Sequence, residues 1–545
     1  MEMNEKLTET LKEEIPADNQ PDLLYQPKPL FNTDKRDIIF SLCALVISIF
    51  ASVLGIFGGF ALGHLLSILI MFSTITVYFA KGAKINATSI ICGLVSLLNT
   101  AVFICTTNSS VKFFAALTNL LLMLVFFDGL INPPSKGNRQ TFQIFLSAAS
   151  TIGNIDITVK SLFSKVNGEK KTLGKFLIGL ACAVPVLIIV VPLLISSDDA
   201  FEGLITNIFS NCFLSILKAL LGIVISIFII SYTFSTKTRR IYKMKETTFD
   251  GIDNIYLISF LSTISLCYIL YLFSQLAYFF SAFRGFLPNG EITYAQYARK
   301  GFFEMCIIAI INLCIVALSL ILSKKKNGKP SHLLKALTTY ISFFTLIIIA
   351  TSISKMVLYI DAYGMTILRL TTGTFMLFLA VVFISLIFRI FITKINIIKT
   401  ALITAGCITF ILGLVNVNTV CAMYNYNAYK YNRLENIDVK AIYELGDEGI
   451  PYIIKLSTSD DRDTAIQARR YLSKAYLYDY FDNMDTASTF TVNDLQKNQK
   501  NNNFQYFSIP KNTAYKNLYN FIEKNPKFAS YCQYYYNIEE GYHYR

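Results

Sequence analysis

A handful of ionisable residues in this chain sit inside or directly against long apolar stretches, where an unpaired charge costs several kcal/mol. They are Asp128, Lys218, Glu304, Lys355 and Arg369. An acid or base at such depth pairs with an opposite charge, holds an ion or polar head group, or moves a proton. Lys218, Lys355 and Arg369 lie within about two turns of a predicted helix end, so their long stems can carry the charge out to the interface. A wider set is built from Asp198, Asp199, Glu202, Arg299, Lys300, Glu304, Asp361 and Arg369, beside Tyr294, Tyr297 and Tyr363. Gathered in one place, these would offer both signs of charge and aromatic platforms, enough to hold a head group or a sugar. They would equally serve as an ion-pair network that clamps helix ends, with tyrosine at its expected interfacial depth. No nucleophile and base accompany them, so no catalytic residue is assigned. The eleven Cys include no C-x-x-C pair, and the three His (His64, His332, His543) are far apart, so neither a metal nor a cofactor is expected. Cys421 and Cys532 alone lie outside the apolar region and are the candidates for a disulfide.

The elements that must position these residues are membrane spans. About 20 apolar residues cross a bilayer core of roughly 30 Å, and eleven stretches approach that requirement. They are 38–58, 61–80, 85–107, 113–131, 173–196, 213–234, 255–280, 304–323, 333–360, 367–391 and 401–417. Hydrophobic residues make up 54% of the chain, above what a soluble domain needs. The charge is placed unevenly: residues 1–36 hold 5 basic and 8 acidic residues, 37–420 hold 29 and 13, and 421–545 hold 15 and 15. The excess of Lys and Arg therefore lies in short loops beside apolar helices, which argues for membrane topology and against a nucleic-acid partner. Alternate loops carry it, with Lys81 and Lys84, Lys136 and Arg139, Lys237 to Lys245, Lys324 to Lys329, and Arg389 to Lys399 all on one side. The positive-inside rule makes that side cytoplasmic. The reading is an all-α polytopic bundle of about eleven spans in a cell membrane, N-terminus cytoplasmic and C-terminus outside.

Three further regions follow. Residues 1–36 are polar, acidic and Pro-containing, which predicts a disordered cytoplasmic tail. Near 155–166, Ile155, Ile157, Val159, Leu162, Phe163 and Val166 alternate with Lys160 and Lys165 in a helical pattern. That suits a cytoplasmic helix on the lipid surface or a buried loop helix. After the last span, 421–545 becomes Tyr-rich and charge-balanced, with helical apolar spacing over 439–456 and 464–477, and reads as an extracytoplasmic helical domain.

Four segments occur in order: Pro192 to Phe201, Tyr294 to Glu304, Leu358 to Thr366 with Arg369, and Tyr424 to Asn427. On these the chain resembles the uncharacterised bacterial polytopic membrane proteins grouped as domain of unknown function 4173, related to 4153. The nine-residue run Tyr294-Ala-Gln-Tyr-Ala-Arg-Lys-Gly-Phe302 is the most specific part. Two places depart from the pattern, Ser197-Asp198-Asp199 and Ala422-Met423. The resemblance implies packed spans and inner-membrane residence and no established activity. On the topology above, all four segments fall at outer span ends, which makes Asp198, Asp199, Tyr294, Arg299, Glu304, Asp361 and Arg369 the candidate ligand-binding cluster. An envelope sensor or scaffold that displays 421–545 outside demands least of the sequence, with membrane lipids and another envelope protein as partners. A transporter or flippase for a lipid-linked or small amphipathic substrate is the alternative, although the span centres are almost purely apolar. A membrane enzyme at the outer interface is the third reading.

Overall fold

The computed structural model describes residues 31–163, 212–238, 251–284, 302–324, 330–392, 395–475 and 506–528, with short gaps at 57–58, 82, 84–85, 133–136 and 526 and scattered positions within 179–197. Every regular element among them is helical, and the single bridge, Ile252 to Ser323, is isolated.

The helices of the bundle are α1 (Lys35–Phe50, continued by a π turn Ala51–Ile56), α2 (Leu62–Phe79), α3 (Ala87–Thr100), the short α4 (Val102–Cys105), α5 (Ser109–Ile131), α6 (Asn138–Ser150) and α7 (Ile155–Phe163). After these come α8 (Cys212–Lys237), α9 (Asn254–Arg284), α10 (Phe302–Leu322), α11 (His332–Tyr363), α12 (Ile367–Phe391) and α13 (Ile397–Val415). Among the described residues ten helices are long and apolar enough to cross a membrane. They coincide with ten of the eleven expected spans. The remaining one, 173–196, falls almost wholly outside the described residues. Large side chains such as Leu270 (64% exposed), Phe273 (70%) and Phe391 (65%) face outward along these helices. Only a hydrocarbon surround makes such a surface stable, because exposed apolar area on this scale would drive a water-soluble protein to associate.

Local sequence sets many of the helix starts. Asn86, Asn108, Ser331, Thr366 and Asn396 each accept a hydrogen bond from a backbone N–H in the first turn of the helix that follows. These side chains satisfy donors that an apolar helix end would otherwise leave bare. Two helix groups result, packed around separate cores. One core lies among α1, α2, α5 and α8 and includes Phe40, Phe72, Phe127 and Phe234. The other lies among α9 to α12 and includes Leu261, Ile341, Met376 and Phe383.

Several polar residues at span depth are paired across helices. Asn99 Nδ2 donates to Ala115 O and to Thr118 Oγ1, each at 3.0 Å, and Thr409 Oγ1 donates to Asn99 Oδ1 at 3.1 Å, so α3, α5 and α13 are joined. In the second group Tyr268 OH donates to Asn312 Oδ1 at 2.6 Å, and Asn312 Nδ2 donates to Thr345 Oγ1 at 2.9 Å. Such interhelical bonds in a bilayer are worth about 0.6 to 2 kcal/mol each. Gly406 and Gly413 let α13 approach closely, since a Cβ there would stand 2.7 Å from Leu122 and 2.6 Å from Val102.

The two ends of the bundle differ. At one end, Lys237 Nζ lies 2.7 Å from Asp37 Oδ1 and 3.9 Å from Asp34, and Tyr78 OH donates to Asp37 Oδ1 at 2.7 Å. At the same end Asn138 accepts from Ile397 N at 2.9 Å, and Asn396 donates to Thr141 at 2.6 Å. Helix α7 packs there too, with Ile157 and Val159 buried and Ser161 Oγ accepting from Phe31 N at 2.8 Å, so its apolar residues meet protein. The described chain leaves that end at Phe163 and resumes at Cys212, which is at the far end of α8 from Lys237.

The opposite end carries a cap built from α14 (Val417–Lys430), α15 (Val439–Tyr443), α16 (Ile450–Leu456), α17 (Arg462–Lys474) and α18 (Ile509–Lys524). It does not hang free. One apolar cluster runs from Val102, Phe103, Val111 and Ala115 of the bundle into Ile442, Ile453, Leu472 and Leu518 of the cap. Asn416, in the left-handed region at φ 58°, turns the chain from α13 into α14. Cys421, on the first turns of α14, is fully buried with a free thiol that burial pushes up to about 12. Cys532 lies outside the described residues.

Candidate functional site

The junction of cap and bundle has a closed side and an open side. On the closed side Glu448, only 3% exposed, is surrounded by donors. Its Oε1 accepts from Thr107 N at 2.9 Å and from Asn416 Nδ2 at 3.1 Å, and its Oε2 accepts from Thr107 Oγ1. Asn418 Nδ2 donates to Leu445 O at 3.0 Å, and Asn108 Nδ2 donates to Asn418 Oδ1 at 2.8 Å. Lys112 Nζ donates to Gly59 O at 3.3 Å, and the His64 ring is held edge-on between Phe60 and Phe103, at 4.7 and 4.4 Å. A carboxyl group taken out of water is costly unless hydrogen bonds replace its lost hydration, and these supply them.

The open side starts at the end of α11. Gly364, at φ 78°, reverses the chain between α11 and α12, and a Cβ there would stand 2.6 Å from Asn425 Oδ1. Asn425 of α14 reads the next residue's backbone with both ends of its amide. Its Oδ1 accepts from Met365 N at 2.7 Å, and its Nδ2 donates to Met365 O at 2.8 Å. Thr366 then caps α12. Three residues on, Arg369 turns back: Nη1 donates to Tyr363 O at 3.1 Å and to Gly364 O, and the guanidinium lies 4.1 Å from the centre of the Tyr359 ring. A cation on the last carbonyls of α11 suits the negative end of that helix. Tyr424 OH donates to Asp361 Oδ1 at 2.7 Å, and Arg433 lies over the Tyr424 ring at 5.7 Å. Burial, with the Asp361 hydrogen bond and charge behind it, pushes the Tyr424 hydroxyl up to about 12. Between these parts opens a cleft of about 930 Å³, lined among others by Tyr363, Arg369, Arg433, Glu435, Asp438 and Glu444.

A family profile matches residues 30–456. The chain belongs to that family, the Domain of unknown function (DUF4153). The DUF4153 match covers the bundle and ends at Leu456, the last residue of α16, so both sides of the junction lie within it. It is the 4153 label that is matched, and it does not establish the 4173 grouping. No curated protein and no solved structure matches this DUF4153 chain.

Of the residues expected to form the site, Asp198, Asp199, Glu202, Tyr294, Tyr297, Arg299 and Lys300 lie outside the described residues. Asp361, Tyr363 and Arg369 are brought to one end of α11 and α12, and their described partners are a tyrosine hydroxyl, backbone carbonyls and a ring. Glu304, exposed in the first turn of α10, sits deeper. Its neighbour Met305 is level with Ser352, whose hydroxyl lies 2.9 Å from the Met305 sulfur. Ser352 is nine residues before Asp361 on α11, about 13 Å at 1.5 Å per residue. The sequence reading left out Asn425, Arg433, Glu435, Asp438 and Glu448. Asn425 lay within a singled-out motif, but the others resemble solvated charges of a surface loop.

The arrangement can bind: it presents two guanidinium groups and several carboxylates around an open volume.

Proposed function

We propose that this DUF4153 chain is a sensor or scaffold of the bacterial cell membrane, with its N-terminus cytoplasmic and its capped end outside. The observation that carries the reading is the apolar cluster shared by bundle and cap, from Phe103 and Val111 to Ile453 and Leu472. A cap joined to the bundle in this way follows any change in the span ends, and a cleft at the same junction provides a place where a ligand can act. The basic loops at the other end support the orientation, since Lys and Arg are retained on the cytoplasmic side. Among the described residues the span centres are mostly apolar, which supports a sensor or scaffold over a conduit for solute.

Cysteine accessibility in intact cells tests the reading. Ile466→Cys, on an exposed position of α17, should react with a membrane-impermeant maleimide, whereas Lys81→Cys, in a basic turn, should react only after lysis. The reverse pattern would overturn the orientation. Leu472→Cys is buried in the shared cluster and should be protected, becoming reactive when Glu448→Ala is added. Equal reactivity with and without that second change would mean that the cap does not depend on the junction, and the coupled reading would fail.

A further inference from the structure

The cleft at the junction borders a second cavity of opposite character. A groove of about 690 Å³ runs down the outside of α12 where it meets α5 and α13, and both cavities are lined by Ile367 and Leu368. From Leu368 the groove passes Thr371, Thr372 and Phe375 to Phe378. Ten residues of helix span about 15 Å, which is the depth of one leaflet of a hydrocarbon core of roughly 30 Å. The threonines do not make this wall polar. Thr371, Thr372 and Thr374 each donate the hydroxyl to a carbonyl one turn back in α12, at 2.8, 2.7 and 2.7 Å, and so can turn their methyl groups to the groove. Phe114, Leu368 and Phe375 on its rim are well exposed, so it opens sideways to lipid. A polar solute has no reason to enter it, but an acyl chain does.

Charges of both signs stand at the mouth. Arg369 is next to Leu368 in the chain, at the top of the groove and in the positively polarised first turn of α12. Its Nη1 serves two carbonyls, and a guanidinium has five N–H donors in all. Arg433, Glu435 and Asp438 line the same cleft as Arg369, and Asp438 Oδ1 also accepts from Ala441 N. The site therefore joins an apolar groove to a mouth that holds two cations and several carboxylates. A zwitterionic phospholipid carries the matching groups: acyl chain, phosphate, ammonium.

We propose that cleft and groove form one binding site for a zwitterionic phospholipid, with its phosphate at Arg369 and Arg433, its ammonium group toward Glu435 and Asp438, and one acyl chain under Leu368. The proposal deepens the sensor reading by naming what the junction would sense. It does not depend on which way the bundle faces.

Native mass spectrometry of the full chain tests it. The protein is released from mixed micelles holding equal amounts of phosphatidylethanolamine and phosphatidylglycerol, and retained lipids are counted. One phosphatidylethanolamine should stay bound to the wild-type chain after the others are stripped. Thr372→Trp, which fills the groove, and Arg433→Glu, which reverses a charge at the mouth, should each lower that retention roughly tenfold or more, as the loss of a charge-assisted contact implies. The two changes lie in different elements, so a folding failure in one leaves the other to decide. Equal retention of both lipids by the wild-type chain would overturn the zwitterion assignment. Retention unchanged in both variants would mean annular lipid only and would overturn the site. Neither result bears on the maleimide pattern, so failure of the site and failure of the sensor reading remain distinguishable.

Discussion

The two sides of the cap junction use similar polar residues to opposite ends. On the closed side a single carboxylate, Glu448, is buried and receives hydrogen bonds from Thr107 and Asn416, while apolar residues seal the surroundings. On the open side two arginines and several carboxylates surround a volume of about 930 Å³ and are engaged mainly by carbonyls, rings and a tyrosine. Burial makes the first arrangement rigid, because each donor there has lost water and depends on one acceptor. Partial exposure leaves the second able to exchange water for a ligand at small cost. The closed side fixes the cap, and the open side is free to respond.

That contrast can be broken at four places. Phe103→Ala empties the centre of the shared cluster, where Phe103 is fully buried, and should destabilise the protein by about 3 to 5 kcal/mol. Thermal unfolding in detergent should show cap and bundle failing together; two separate transitions, with only the bundle shifted, would contradict a common core. Glu448→Ala leaves Thr107 N and Asn416 Nδ2 without their acceptor and should cost about 2 to 4 kcal/mol. Limited proteolysis should release the cap sooner while the spans stay protected.

On the open side the effects are smaller. Gly364→Ala forces a side chain into the left-handed region and against Asn425, a strain of about 1 to 3 kcal/mol. It should perturb phospholipid retention without freeing the cap, and early cap release in proteolysis would count against a division of labour. Tyr424→Phe removes the hydrogen bond to Asp361 and should cost about 0.5 to 1 kcal/mol. The same contact has a pH signature. The fold favours the protonated hydroxyl, pushing it up to about 12, so the contact is fully present below the ordinary tyrosine range near 10 and is lost as pH rises through about 12. A tyrosinate absorbance titration should lose one late-ionising hydroxyl in Tyr424→Phe. An unchanged curve would mean that the group is not held.

Much of the bundle was legible because its causes are local. Apolar length marked eleven spans, ten of which are long helices among the described residues, and Asn86, Asn108, Ser331, Thr366 and Asn396 start helices with side chains that act within three residues. The site was legible in part. Asp361, Tyr363 and Arg369 were expected at one span end because that motif is continuous in sequence, and Arg369 reaches carbonyls only five and six residues away. The described partner of Asp361 is Tyr424, 63 residues on, a contact that no continuous motif announces. Glu448 was invisible, since an acid in the short run Gly446-Asp447-Glu448 looks solvated until Thr107, 341 residues earlier, is placed beside it.

The sequence alone therefore determined that this chain suits a membrane, where ten of its spans run and which loops carry positive charge, because hydrophobic length acts over a few turns. Tertiary structure decided that the C-terminal helices share a core with the bundle, that Glu448 closes one side of the junction, and that a polar cleft and an apolar groove meet at Leu368. Each of these joins residues that are distant in the chain. Such contacts are selected by the packing of whole helices against one another, and no local pattern of side chains encodes them.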